Sequence, residues 1–284
     1  MTRDARPRIL VFDSGIGGLS VTRCIRAVLP GVHFVYLADS AGFPYGDQSD
    51  GVVVERCVAL VEQALVEFRC DLVVVACNTA STVVLPHLRA RVSVPVVGVV
   101  PAIKPAAGLT RNGRLGVLAT PATIRRPYLN RLIDEFANHC LVERVGHPAL
   151  VAWAEGLVRG DPVPVSELAG VLRPLREAGV DTVVLGCTHY PLLLASLRQA
   201  LPEVVHWVDS GEAIARRVSY LLAQGAWPMA PLRDQRAYPP VEAVLLSGEA
   251  RERLPEFMVE LDLATGRVES RWGGLAPVRA AGSV

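Results

Sequence analysis

Continuous apolar runs, rather than strict alternation, mark the strands of this chain. Asp71-Leu-Val-Val-Val-Ala-Cys77 and Asp181-Thr-Val-Val-Leu-Gly-Cys187 each hold such a run between turn-forming residues. A run of this kind reads as a strand covered on both faces. Residues 9–12 and 32–37 read as strands as well, and 19–29 and 50–68 carry helical apolar spacing. A further buried strand is expected at 94–101, followed by a Pro- and Gly-flanked crossing through Pro105. A second series then opens, with strands at 114–119 and 141–145 and helices around 149–158 and 165–178. A strand at 204–208, a helix to about Gln224 and a strand at 241–246 complete the pattern. Residues 226–240 read as proline-rich loop and 273–284 as a disordered tail. Strands alternating with helices throughout predict an α/β protein with mainly parallel sheets.

The two apolar runs are copies of one motif. In each, a Cys lies six positions after an Asp and is followed by small, hydroxyl-bearing residues and a helical pattern. Cys77 and Cys187 are therefore expected at the carboxyl ends of two buried strands, where α/β sheets place ligands. A helix N-terminus there also favours a thiolate. Asp13-Ser-Gly-Ile-Gly-Gly18 follows the first strand in the same way. It lacks both the GxGxxG spacing and the P-loop lysine, so a tight turn presenting Asp13 and Ser14 is the better reading than a nucleotide loop. Ala38-Asp-Ser-Ala-Gly-Phe-Pro-Tyr-Gly46 reads as a loop that carries Tyr45 over the sheet edge.

Composition narrows the chemistry. At 284 residues, 51% of them hydrophobic, the chain has room for two domains with real cores. No apolar run reaches the length of a membrane span, and no signal-peptide h-region precedes the first strand, so a cytoplasmic protein is expected. A net charge of +1 with interspersed signs lacks the electrostatic footprint of a nucleic-acid binder. Six cysteines without a CxxC pair predict neither a disulfide scaffold nor a metal site. Cys24, Cys57, Cys70 and Cys140 read as small buried hydrophobes. The sole lysine, Lys104, lies in Pro-Ala-Ile-Lys-Pro, a poor setting for a Schiff base, so cofactor-free chemistry is expected.

Two thiols facing one substrate suit the inversion of a carbon next to a carboxylate. One base removes the proton from one face while an acid delivers a proton to the other. Each thiol needs a neighbour that can hold its thiolate. His189 is two residues from Cys187, and Asp13 would lie beside Cys77 if their strands are sheet neighbours. Asn78, Thr79, Thr120, Thr123, Thr188 and Ser14 are short polar groups able to hold an ammonium and carboxylates, or to cap helices.

Five signatures resemble the glutamate racemase family in order and spacing. They are Val11-Phe-Asp-Ser-Gly-Ile-Gly-Gly-Leu-Ser-Val21, Phe43-Pro-Tyr-Gly46, Ala76-Cys-Asn-Thr-Ala80, Leu185-Gly-Cys-Thr-His-Tyr-Pro191 and Val208-Asp-Ser-Gly211. The resemblance implies two pseudo-symmetric α/β domains, each with a mainly parallel central sheet flanked by helices, and an active site in the cleft between them. The implied first domain is discontinuous, residues 1–98 plus 210–284; the second is 99–209. Cys77 and Cys187 are implied as acid/base residues, assisted by Asp13 and His189. Asp13, Ser14, Pro44, Tyr45, Gly46, Cys77, Asn78, Thr79, Cys187, Thr188 and His189 are implied as substrate contacts, with Thr120 and Thr123 beside them. The implied activity supplies D-glutamate for peptidoglycan. Pro-Ala-Ile-Lys-Pro-Ala is similar to the proteobacterial branch, which implies a UDP-muramoyl peptide activator near the domain crossing; a homodimer is compatible with the resemblance.

One departure stands out. The family's Leu-Val-Glu segment reads Leu150-Val-Ala152 here, which places an alanine where a carboxylate is expected. Glu155, three residues on, either reaches the same face of a helix and compensates or is a solvated charge. Aspartate or hydantoin racemisation is the nearest alternative activity. A non-catalytic two-lobed amino-acid binder would not need a Cys on each side, and a thiol hydrolase would need one nucleophile rather than two.

Overall fold

The computed structural model describes residues 6–225 and 239–278. Ten strands lie among them: β1 (Arg8–Asp13), β2 (His33–Ala38), β3 (Leu72–Val75), β4 (Val96–Gly98), β5 (Arg114–Ala119), β6 (Leu141–Gly146), β7 (Thr182–Leu185), β8 (His206–Val208), β9 (Val241–Leu246) and β10 (Val268–Glu269). The chain forms two compact units, Met1–Val99 with Gly211–Val284, and Val100–Ser210.

The first unit holds a six-stranded sheet in the order β10-β9-β2-β1-β3-β4, and the second a four-stranded sheet in the order β6-β5-β7-β8. Every pairing between these strands is parallel. Four strands of the first sheet, β2-β1-β3-β4, thus repeat the order of the second. Parallel pairing follows from the helical crossovers between successive strands. The sheets are covered as the apolar runs require: all four residues of β3 and of β7 are buried. Each Val or Leu so covered contributes about 1.5–3 kcal/mol relative to an exposed side chain.

One core joins β1 and β3 to the helix Asp50–Phe68 through Leu10, Phe12, Val73, Val75, Val53, Cys57 and Leu60. The second unit packs Leu118, Val183 and Leu185 against Leu150, Leu168 and Leu197. The motif's two aspartates each brace their own sheet, at the end opposite its cysteine. Asp71 accepts the Arg8 N–H at 2.9 Å, fixing the start of β1 beside β3. Asp181 accepts the N–H groups of Arg111 and Asn112 at 2.8 and 3.0 Å and the Thr110 hydroxyl at 2.7 Å, just ahead of β5.

Several boundaries differ from the sequence reading. The strand expected at 94–101 contracts to Val96–Gly98, and the crossing after it contains the helix Ile103–Leu109. The helix expected over 165–178 divides into Val165–Val171 and Arg173–Glu177. Pro174 explains the division, since its ring and missing N–H interrupt a continuous ladder. The helix Leu254–Glu260 and the strand β10 follow β9 where no element was expected. Of the two expected loop segments, residues 226–238 and 279–284 lie outside the described residues. The stretch 273–278 is not a loose tail: Leu275 packs on the first core, and the Val278 N–H donates to the Ala41 carbonyl at 3.0 Å. Cys57 and Cys70 are buried as expected, whereas Cys24 and Cys140 are partly exposed. Among the described residues no helix is long and apolar enough to cross a membrane.

Candidate active site

Sheet register sets the partners of both cysteines. Phe12 pairs with Val75 and Leu118 with Leu185. The next bond of each ladder is also the same: Ala76 N–H to the Phe12 carbonyl and Gly186 N–H to the Leu118 carbonyl, both 2.7 Å. Counting two residues past the paired positions reaches Ser14 and Cys77 on one sheet, and Thr120 and Cys187 on the other. The repeated motif thus produces a repeated half-site.

In the first unit, the Ser14 hydroxyl lies 3.8 Å from Cys77 Sγ. Asp13 Oδ1 accepts the Ser14 N–H at 2.5 Å, which holds the carboxylate at the tip of β1. Asp13 is fully buried and Cys77 is 6% exposed. The glycine-rich turn makes this approach possible: a Cβ on Gly18 would stand 3.0 Å from Asp13 Cβ and 3.1 Å from Ala76 Cβ. Cys77 precedes the short helix Asn78–Ser81, and Asn78 and Thr79 are buried beside it. The Asn78 amide oxygen is buried with no hydrogen-bond partner.

Tyr45 is not a lid. Its side chain is 1% exposed and belongs to the same core as Cys77, with its ring centroid 6.2 Å from that of Phe12. An aromatic ring flanked by turn formers packs inward here because the phenol O–H has a buried acceptor, Asp39 Oδ2, at 2.6 Å. Pro44 and Gly46, on either side, are partly exposed.

In the second unit, Cys187 Sγ lies 3.7 Å from His189 Nδ1, and His189 Nε2 lies 2.7 Å from Glu155 Oε1. All three side chains are buried, so Glu155 is not a solvated helix charge. Burial alone would push the His189 pKa down, but its bonds to Cys187 and Glu155 outweigh burial and hold it well above the ordinary histidine value. A cationic ring beside the sulfur favours negative charge there. Thr188 and Thr123 are buried; Thr120 is partly exposed, accepts the Thr123 N–H at 3.2 Å and caps the helix Pro121–Arg125. The expectation built on Ala152 is corrected. Ala152 is exposed on the helix Pro148–Gly156 while Glu155 is buried, so the carboxylate serving His189 belongs at 155 and none is missing.

Three residues of the first half-site escaped the sequence reading: Asp39, Arg56 and Ser247, all buried around the Tyr45 hydroxyl. A signal for Arg56 was available. It falls on the buried stripe of the helix Asp50–Phe68, between Val53 and Leu60, and a guanidinium on an apolar face implies a buried acceptor.

Parallel α/β sheets carrying paired strand-end cysteines define a class. The Asp/Glu/hydantoin racemase family matches residues 9–218, and the chain belongs to that family. Within it, the chain is similar to glutamate racemases. That of Klebsiella pneumoniae (strain 342) is 50% identical over 254 residues, 89% of this chain and 88% of the relative. That of Pectobacterium carotovorum is 52% identical over 221 residues, 77% of this chain and 78% of the relative. The crystal structure of Escherichia coli glutamate racemase in complex with L-glutamate and the activator UDP-MurNAc-ala superposes with a TM-score of 0.84 and 46% identity. That match covers 93% of this chain and 98% of that one.

Proposed function

We propose that the chain interconverts L-glutamate and D-glutamate by proton transfer at Cα, with Cys77 serving one face and Cys187 the other. The observation that carries this reading is the repeated half-site: a buried thiol two residues past a β1–β3 or β5–β7 pairing, each beside a polar partner. In one direction a thiolate takes the Cα proton, and the electron pair of that bond spreads into the α-carboxylate. The opposing thiol then gives its proton to the other face, and the reverse reaction exchanges the roles.

His189 is suited to hold Cys187 through both states. As an imidazolium it stabilises the thiolate left after proton delivery, and Glu155 holds the ring's far nitrogen so that Nδ1 faces the sulfur. Asp13 and Ser14 take the corresponding part beside Cys77. Asn78, with its unpartnered amide oxygen, suits the substrate ammonium. Ser14, Thr79, Thr120, Thr123 and Thr188, with the backbone N–H groups of Tyr45 and Gly46 that follow Pro44, suit the two carboxylates. Glutamate rather than aspartate or a hydantoin is favoured by the glutamate racemases that match most of the chain.

The same reading extends to the cell. The product serves peptidoglycan synthesis, and the enzyme works in the cytoplasm. Activation by a UDP-muramoyl precursor is favoured by the activator in the E. coli structure, and saturating precursor should then alter the steady-state kinetics. The reaction itself is tested by incubating the protein with L-glutamate in deuterium oxide. D-glutamate carrying deuterium at Cα is expected; an unchanged L-glutamate pool would reject the proposal.

A further inference from the structure

At the carboxyl end of the first sheet lies a buried ion pair that the proton transfer does not use. Arg56 grips Asp39 with two parallel bonds, Nε to Oδ2 and Nη2 to Oδ1, each 2.7 Å. The Tyr45 phenol donates to Oδ2 at 2.6 Å and the Ser247 hydroxyl to Oδ1 at 2.5 Å, so the carboxylate accepts four hydrogen bonds. Asp39 is 0% exposed and Arg56 7%. Two charges withdrawn from water this completely are tolerated only when geometry and further hydrogen bonds satisfy them. Stability alone does not call for such a pair, because apolar residues of similar volume often serve as well.

Every partner in this network bears on one loop. Asp39 begins the segment that leads to Pro44, Tyr45 and Gly46, and its N–H is bonded to the Asp13 carbonyl at 2.9 Å. Ser247 also accepts the Ala41 N–H at 2.9 Å. The loop backbone passes directly over the ion pair at Gly42, where a Cβ would come within 2.5 Å of Asp39 Oδ2 and 2.7 Å of Arg56 Nε. The third nitrogen of the guanidinium donates to the Ala276 carbonyl at 2.7 Å, tying the C-terminal segment to the same point.

We propose that Asp39, Arg56 and Ser247 are positioning residues for substrate binding: they fix the Tyr45 hydroxyl and thereby set where the Pro44–Gly46 backbone meets glutamate beside Cys77. The proposal rests on the reading that this loop contacts the substrate. It assigns the phenol of Tyr45 to anchoring the loop and leaves substrate contact to the loop's backbone. A bidentate clamp suits this task, because its planar geometry holds direction as well as charge.

Steady-state kinetics of Tyr45→Phe and Ser247→Ala test it, each variant removing one hydroxyl from Asp39 with little change in volume. Arg56→Ala would leave a carboxylate buried without its counter-charge and is prone to misfold, so Arg56→Lys, which keeps the charge and loses the fork, is the informative third variant. Since one hydrogen bond to a charged group is at stake, KM for glutamate should rise about tenfold in each folded variant, while kcat falls by no more than a few-fold. Ser247→Thr, which keeps the hydroxyl, should restore KM. A lower melting temperature with unchanged KM would mean the network is purely structural and would overturn the proposal. So would a loss of kcat at constant KM. Absence of racemisation in the unaltered protein would instead reject the activity on which the proposal rests.

Discussion

Glu155 Oε1 lies 2.7 Å from His189 Nε2, with both side chains buried and the contact on the ring nitrogen away from Cys187. A carboxylate in that position orients the imidazole and favours its charged form. Glu155→Gln should therefore lower kcat by about ten- to a hundredfold while the fold persists, since the amide can still bond the ring but carries no charge. Moving the carboxylate, as Ala152→Glu with Glu155→Ala, should fail to restore turnover because position 152 faces solvent. Recovery of activity in the double variant would contradict this geometry.

The charge on His189 gives a second outcome. Its folded pKa lies well above 6.5, because the bonds to Cys187 and Glu155 outweigh burial. The stabilisation from this group is therefore complete below about 6.5 and disappears as pH rises through the folded pKa. Nuclear magnetic resonance of a protein labelled at histidine should show the His189 ring protonated at neutral pH. In Glu155→Gln its titration should move to lower pH. A titration midpoint at or below the ordinary histidine value in the unaltered protein would contradict the account.

Much of the fold was legible because both cysteine strands are written as uninterrupted apolar runs, which only a doubly covered strand requires. The helix Asp50–Phe68 was equally clear from its amphipathic spacing. What escaped reading was tertiary. Nothing local distinguishes a helix charge in solvent from one on a histidine, so Glu155 and Ala152 were interchangeable until burial separated them. Tyr45 looked like a surface aromatic because its acceptor, Asp39, depends on Arg56 and on Ser247, which is 208 residues from Asp39 along the chain. The helix Leu254–Glu260 follows a stretch rich in charge and was hidden by that composition.

Asp181 offers a test of the structural half of the repeated motif. Burial would raise its pKa, but the Thr110 hydroxyl, the Arg111 N–H, the Thr182 hydroxyl and the Asn112 N–H hold it at about 2. A depressed folded pKa gives stabilisation that is present above the unfolded value of 3.8 and lost as pH falls towards about 2. Asp181→Asn should lower the melting temperature near neutral pH by a few degrees, on the order of 1 kcal/mol once solvent screening is allowed for. The deficit should shrink as pH approaches 2. Thermal melts across that range decide it, and a deficit of constant size would count against the assignment.

The central claim is that two thiols work on opposite faces of one carbon. Cys77→Ser and Cys187→Ser measure it most directly, because a serine hydroxyl is far less acidic than a thiol. Loss of a placed acid or base typically reduces rate about 10²–10⁴-fold, so racemisation should all but vanish in both variants. Each surviving thiol should still remove the Cα proton of a glutamate analogue bearing a leaving group on Cβ. The electron pair of that C–H bond then forms the Cα–Cβ double bond as the leaving group departs. The account predicts that the two variants eliminate opposite enantiomers of this analogue. Near-normal racemisation by either variant, or the same enantiomer consumed by both, would contradict it.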